Sequence, residues 1–188
     1  MIDIIILVGK TCSGKNAILE ELLKDEKYKR VVTYTTRPPR EGEIDGITYH
    51  FISSYDFLVK QFHGFFAETT SYDVALGDRW HYGTSKECFN DDNGVLIMNP
   101  DGLKAIKNIP GLNYTSFYIM CYKKTLKKRL KKRGDNPKEA KRRLKADKKD
   151  FEGMEGLCDY TIMNGDNTTP ETVADVIKHF YEMEKKND

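Results

Sequence analysis

Ile2-Asp3-Ile4-Ile5-Ile6-Leu7-Val8-Gly9-Lys10-Thr11-Cys12-Ser13-Gly14-Lys15-Asn16 is the stretch whose reading decides the fold. Residues 2–8 are apolar and rich in β-branched side chains, which predicts a buried strand of a parallel sheet. Residues 9–14 are turn-rich. From Lys15, apolar residues recur at helical spacing (Ile18, Leu19, Leu22, Leu23), which predicts a helix over 15–27. Strand, glycine loop and helix open an α/β fold. The loop fits G-x-x-x-x-G-K. Its glycines let successive backbone N–H groups point at phosphate oxygens, the helix contributes its positive end, and Lys15 contributes a full charge. Asn16 stands where this pattern normally has Ser or Thr, whose hydroxyl would bind Mg²⁺; the Asn side chain offers a longer, neutral carbonyl oxygen instead. Cys12 reads as a small loop filler rather than a reactive thiol.

Further along, Thr33-Tyr34-Thr35-Thr36-Arg37-Pro38-Pro39-Arg40-Glu41-Gly42-Glu43-Ile44-Asp45-Gly46-Ile47-Thr48-Tyr49-His50-Phe51 suggests a second anion site. Two prolines between two arginines hold the guanidinium groups at a stiff separation, and planar guanidinium forks suit bidentate phosphate binding. Tyr49 adds a hydroxyl donor. Without the first loop, Arg37 and Arg40 would read as ordinary exposed turn residues.

Working outward, strands are expected at 31–35, 48–52, 65–72, 79–83, 94–98, 114–121 and 160–163. Helices are expected at 53–62, 85–90, 100–108, 123–133, 138–151 and 170–184, with Gly134-Asp135-Asn136-Pro137 as a break. Alternating strands and helices imply a mostly parallel sheet covered on both faces, and residues 34–91 read as a small mixed lobe inserted into that core. Among 188 residues, 123–149 carry fifteen Lys/Arg against three Asp/Glu, while the rest carries sixteen basic and twenty-six acidic residues. Such a block draws polyanions, although most of its lysines are expected simply to be solvated. Four scattered cysteines (Cys12, Cys88, Cys121, Cys158), with no CxxC pair, argue against a zinc ribbon or a disulfide framework. The four histidines show no metal-ligand spacing. The apolar start is too short for a signal peptide or membrane span, so a cytoplasmic protein is expected.

The chain resembles the guanylate kinase family of nucleoside monophosphate kinases. The resemblance covers nearly its whole length. It rests on the glycine loop, the TTRxPRxGExDGxxYxF stretch just quoted, Tyr82-Gly83-Thr84, and Arg129-Leu130-Lys131-Lys132-Arg133-Gly134. It implies an α/β P-loop kinase core with a parallel sheet flanked by helices, an inserted mixed α/β lobe for the nucleoside monophosphate, and a helical lid. The corresponding division is core 1–33, lobe 34–91, core 92–133, lid 134–145 and core 146–188. It also implies transfer of the γ-phosphoryl of ATP to GMP, dependent on Mg²⁺. Carried over by position, ATP is expected at Gly9, Thr11, Cys12, Ser13, Gly14, Lys15, Asn16 and Ala17, with Asn164 near the adenine edge. GMP is expected at Thr33, Arg37, Arg40, Tyr49, Glu68, Tyr82, Thr84 and Asn99. Lys15, Arg37, Arg129, Arg133 and Arg143 are the expected catalytic residues, and Asn16 the expected metal contact. Glu68 suits guanine, whose N1–H and 2-amino group are adjacent donors that one carboxylate accepts.

Three departures from the family pattern stand out. Asn16 replaces the loop hydroxyl. Asn99 replaces an aspartate and Ile97 an acidic residue, which together remove negative charge from around the metal. Arg79-Trp80-His81, ahead of Tyr82-Gly83-Thr84, has no close family counterpart. Two further readings therefore stay open. One is a kinase-like module that binds a nucleotide or protein but transfers phosphate weakly; the other is a kinase for a different nucleoside monophosphate. Nucleic-acid binding through the basic helices would show as strongly salt-dependent duplex affinity. The expected partners are ATP and GMP, with neither nucleic acid nor membrane.

Overall fold

Val8, at the end of the first strand, marks where the molecule places its glycine loop. A computed structural model describes residues 2–73, 78–89, 92–107, 109–134 and 136–187. The first strand, β1 (Ile2–Val8), matches its expected span. Its neighbours are β7 (Gly94–Met98) and β8 (Leu112–Met120), both parallel to it, with Ile6 opposite Leu96 and Ser116. Outside these lie β2 (Lys29–Arg30) and β9 (Tyr160–Met163), giving a five-stranded parallel sheet in the order β2-β7-β1-β8-β9.

The side chains of β1 alternate between two cores. Ile5 and Leu7 pack with Ile18, Leu22, Val173 and Ile177. Those partners lie on α1 (Lys15–Leu22) and α6 (Pro170–Asn187). Ile4, Ile6 and Val8 pack with Leu103, Ile106, Phe151 and Met154 on the other face. Leu103 and Ile106 belong to α3 (Pro100–Ile106). A strand buried on both faces has no polar side to show, which is why its sequence reads as a continuous apolar run.

A second, four-stranded sheet has the order β4-β3-β6-β5. It is built from β3 (Tyr34–Thr35), β4 (His50–Phe51), β5 (Phe66–Asp73) and β6 (Arg79–Ser85). β5 and β6 form an antiparallel pair with Glu68 opposite Thr84 and Thr70 opposite Tyr82. The helix α2 (Ser54–Phe62) packs Phe57 on this sheet, and the Ser53 hydroxyl caps it by accepting from the Asp56 N–H at 3.0 Å.

Two basic helices, α4 (Lys123–Lys132) and α5 (Pro137–Asp150), complete the chain. Gly134 (φ +78°) lies in the break between them, and Pro137 opens the second. Among the described residues, no helix is long and apolar enough to cross a membrane.

Several element ends differ from expectation. The first helix stops at Leu22 rather than 27, where the Asp25 side chain accepts the Lys27 N–H and turns the chain. Of the strand expected at 31–35 only Tyr34–Thr35 is strand; β2 ends before it at Arg30, and the chain crosses between the two sheets over 31–33. The helix expected at 85–90 is a short 3₁₀ turn, Lys86–Phe89. Residues 74–77 and 90–91 of the expected lobe, residue 108 of the helix expected at 100–108, and Asp135 of the break lie outside the described residues.

Candidate functional site

A cavity of about 590 Å³ opens at the end of β1. The glycine loop, β5 and β6, the start of α3, and the basic helices line it. Of the residues expected to act, Gly9, Thr11, Cys12, Gly14, Lys15, Asn16, Ala17, Thr33, Arg40, Tyr49, Glu68, Tyr82, Thr84, Asn99, Arg129, Arg133 and Arg143 line this one cavity.

At the loop end, the fold leaves no room for larger residues. A Cβ on Gly9 would come within 2.6 Å of the Ser13 hydroxyl and 2.8 Å of the Ile119 carbonyl oxygen. Gly14 sits at φ +104°, where a Cβ would meet the Asn164 amide at 2.3 Å. The ammonium of Lys15 donates to the carbonyls of Gly9 (2.5 Å) and Lys10 (3.1 Å). Burial lowers its pKa to about 8; the charges of Asp147 and Cys12 oppose that shift, while Arg133 and Arg40 reinforce it. Arg129 braces the loop from behind, donating to the carbonyls of Ser13 (3.1 Å) and Gly165 (3.0 Å) and, at longer range, to those of Cys12 and Asn164.

Ser13, Arg37 and Asn164, expected to face the ligands, do not line the cavity. Asn164 is buried beneath the loop, donating to the Ser13 carbonyl at 2.7 Å and accepting from Thr168 at 2.9 Å. The Ser13 hydroxyl is buried without a hydrogen-bond partner among the described residues. Arg37 is only 3% exposed. It makes a two-pronged pair with Glu43 (2.8 and 2.9 Å), donates to the Pro38 carbonyl at 2.7 Å, and lies over the rings of Tyr49 and Phe51. Its expected partner was a phosphate; the carboxylate six residues on takes the same fork, because the turn brings Glu43 back beneath it.

Arg40 does reach the cavity. Burial lowers its pKa, and the neighbouring positive charges of Arg37, Arg143 and Arg133 lower it further. Crowding guanidinium groups in this way is unfavourable unless an anion sits among them.

At the opposite end, the Thr84 hydroxyl donates to Glu68 Oε1 at 2.7 Å, while Glu68 Oε2 is buried and has no partner among the described residues. Burial raises the Glu68 pKa, with the hydrogen bonds from Thr84 acting against the shift. Asn99 caps α3, its Oδ1 accepting the Gly102 N–H at 2.6 Å, and its Nδ2 donates to the Thr70 hydroxyl at 2.8 Å.

The cavity also includes residues that the sequence reading passed over. Thr70 and Tyr72 share a strand face with Glu68, a period-two pattern that was there to be read. Trp80, Arg142, Asp147 and Asp150 also line it, as does Glu43. Asp147 follows Arg143 by one helical turn, so helical spacing pointed to it.

A sequence model of guanylate kinase matches residues 1–181. The chain belongs to the guanylate kinase family. Its similarity to guanylate kinases extends over most of its length. The guanylate kinase of Wolinella succinogenes is 36% identical over 144 residues, covering 72% of this chain and 64% of the relative. That of Rickettsia prowazekii is 32% identical over 172 residues, covering 87% of this chain and 83% of the relative. That of Neisseria gonorrhoeae is 30% identical over 171 residues, covering 87% and 80%. In three dimensions, the guanylate kinase from Anaplasma phagocytophilum superposes with a TM-score of 0.72 at 23% identity, covering 97% of this chain and 86% of that one. That likeness shows the fold: a mixed α/β architecture with a parallel sheet flanked by helices.

Proposed function

We propose that this member of the guanylate kinase family transfers the γ-phosphoryl of ATP to GMP, giving ADP and GDP. The observation that carries the reading is one cavity with an anion-binding loop at one end and a buried, unsatisfied carboxylate oxygen, Glu68 Oε2, at the other. The family and its named relatives are consistent with ATP-dependent phosphorylation of GMP.

In this reading the loop amides and Lys15 hold the donor phosphates. Arg40, Tyr49 and Tyr82 hold the acceptor's phosphate, and Arg37 acts as a positioning residue through its pair with Glu43. Glu68, steadied by Thr84, accepts from guanine N1–H and the 2-amino group, and Thr33 and Asn99 border the base. The acceptor phosphate is already an anion, so the protein supplies positioning and charge dispersal rather than a strong base. Arg133 and Arg143 stabilise the transferring group, and Arg129 keeps the loop in shape. We assign residues 34–91 to the acceptor lobe, 134–145 to the lid, and 1–33, 92–133 and 146–188 to the core. Lid closure would exclude water.

Magnesium would arrive with ATP. Among the described residues there is no cluster of three or more His, Cys, Asp or Glu that could hold a metal. Asn16 offers an amide oxygen on the cavity wall. One neutral protein oxygen plus substrate phosphates is a donor set that fits magnesium, which commonly keeps its waters and binds through few protein ligands. Held there, the ion would supply positive charge that offsets the charge of the donor phosphates. We place the protein in the cytoplasm, a setting that suits its four free thiols.

The test is ADP release with ATP, Mg²⁺ and each nucleoside monophosphate in turn. GMP should be turned over fastest, and equal rates for all acceptors would refute the assignment. Asn16 supports a second reading, a weakened kinase. A large gain in turnover for Asn16→Ser would support it, and no gain would dismiss it.

A further inference from the structure

We propose that the Asp147 carboxylate is a built-in competitor for the donor phosphates, seated on the backbone donor that a phosphate oxygen would otherwise take. The contact is direct: the Thr11 N–H, in the middle of the glycine loop, donates to Asp147 Oδ2 at 2.8 Å. Thr11 and Asp147 both line the cavity, as do Lys15 and Arg143. A carboxylate oxygen accepting from a loop amide does the same chemistry as a phosphate oxygen at that amide.

The position of the carboxylate is built in. Asp147 lies one turn before the end of α5, and its carbonyl accepts the Phe151 N–H at 3.1 Å. Phe151 is buried against the core, its ring stacked with that of Tyr118 (centroids 6.2 Å apart, planes 23° apart). A buried aromatic side chain therefore sets where α5 presents Asp147. The carboxylate also acts on the loop's cation. Of the charges that resist the fall in the Lys15 pKa, that of Asp147 is the largest.

One N–H carries one proton, and two anions placed at hydrogen-bond distance from it would repel each other. Phosphate binding at Thr11 therefore requires Asp147 to leave. Its departure takes a carboxylate off the loop and leaves it one helical turn from Arg143 on the same face. Donor binding would thus be coupled to the arrangement of the basic helix through a single side chain. The competition is with phosphate oxygens and is indifferent to the nucleoside.

The inference rests on the reading that the loop holds a triphosphate, and the experiment separates the two. ATP is titrated calorimetrically into the full chain, once with a metal chelator and once with Mg²⁺, and adenosine is titrated as a control. The proteins are wild type, Asp147→Ala, Asp147→Asn and Asp150→Ala, each checked for an unchanged thermal midpoint. Asp147→Ala should bind ATP about tenfold tighter in both arms, since the freed N–H can form a charge-assisted bond to phosphate. Asp147→Asn, which keeps an acceptor but loses the charge, should fall between this variant and wild type. Adenosine binding should not change. The proposal is overturned by unchanged or weaker ATP binding in Asp147→Ala, by a loss confined to the Mg²⁺ arm (the mark of a metal contact), or by an equal gain in Asp150→Ala (a general charge effect). Uptake of ATP by Asp147→Ala but not by wild type would support it. If no protein takes up ATP, the donor-site reading fails and the competition fails with it.

Discussion

Arg37 and Glu43 form a buried two-pronged ion pair, with Nη1 to Oε2 at 2.8 Å and Nη2 to Oε1 at 2.9 Å. Glu43 Oε2 also accepts the Arg40 N–H at 2.6 Å, so one carboxylate fixes both arginines of the proline-containing turn. The pair holds the turn from which Arg40 reaches the cavity.

Glu43→Ala should therefore cost about 3 kcal/mol, because it leaves the Arg37 guanidinium buried and unpaired. Chemical denaturation checks the loss. Burial alone would raise the Glu43 pKa, but the Arg37 fork and the Arg40 N–H outweigh it and hold it below the usual carboxylate value. A depressed carboxylate contributes stability that is fully present above its unfolded pKa and is lost as pH falls through the folded one. Wild type should thus lose more stability than Glu43→Gln on acidification below about pH 4.5, the ordinary glutamate value. Parallel acid titrations of the two would rule out the pair's role.

Glu68→Gln should separate stability from function. Removing a charge from a buried oxygen that has no partner should raise stability by about 1 kcal/mol. The same change replaces an acceptor with a donor facing guanine, so kcat/KM for GMP should fall at least about 100-fold. Steady-state kinetics and thermal melts on one preparation test both halves.

Much of this architecture is legible in the sequence, for a physical reason. The spans of β1 and β7 match because strands with buried side chains carry apolar runs. β2 does not stand out because Lys29 and Arg30 are polar; its pairing comes from Gly94 and Val95 across the ladder. At the site, the glycine spacing locates the loop and the resemblance to guanylate kinases locates Glu68, but neither says who pairs with whom. Arg37 reads as a phosphate ligand until the turn returns Glu43 to it. Asp147 reads as one more charge in a basic block until α5 is laid across the loop.

Lys15 links the loop to pH. With its pKa near 8, it is mostly charged at pH 7 and largely neutral by pH 9. Bound phosphates favour the charged form, so ATP affinity should be flat up to about pH 8 and then fall by up to about tenfold per unit. Stability moves the other way: the unfolded lysine holds its proton up to its ordinary pKa of 10.5, so stability should rise between about pH 8 and 10.5. Calorimetry and urea midpoints across that range check the two signs.

Arg129 and Arg133 should differ in kind. Arg129→Ala removes the brace behind the loop and should cost about 2 kcal/mol of stability as well as ATP affinity. Arg133→Ala should lower kcat by about 10³-fold, through the charge it contributes to the transferring group. Unchanged stability in Arg129→Ala, or unchanged kcat in Arg133→Ala, would contradict these roles.

The most direct measurement follows the phosphorus. ATP carrying a labelled γ-phosphate is mixed with GMP, Mg²⁺ and the protein, and the products are separated. Label should appear in the β-phosphate of GDP, matched mole for mole by ADP. Label appearing only as inorganic phosphate, or none leaving ATP, would contradict it.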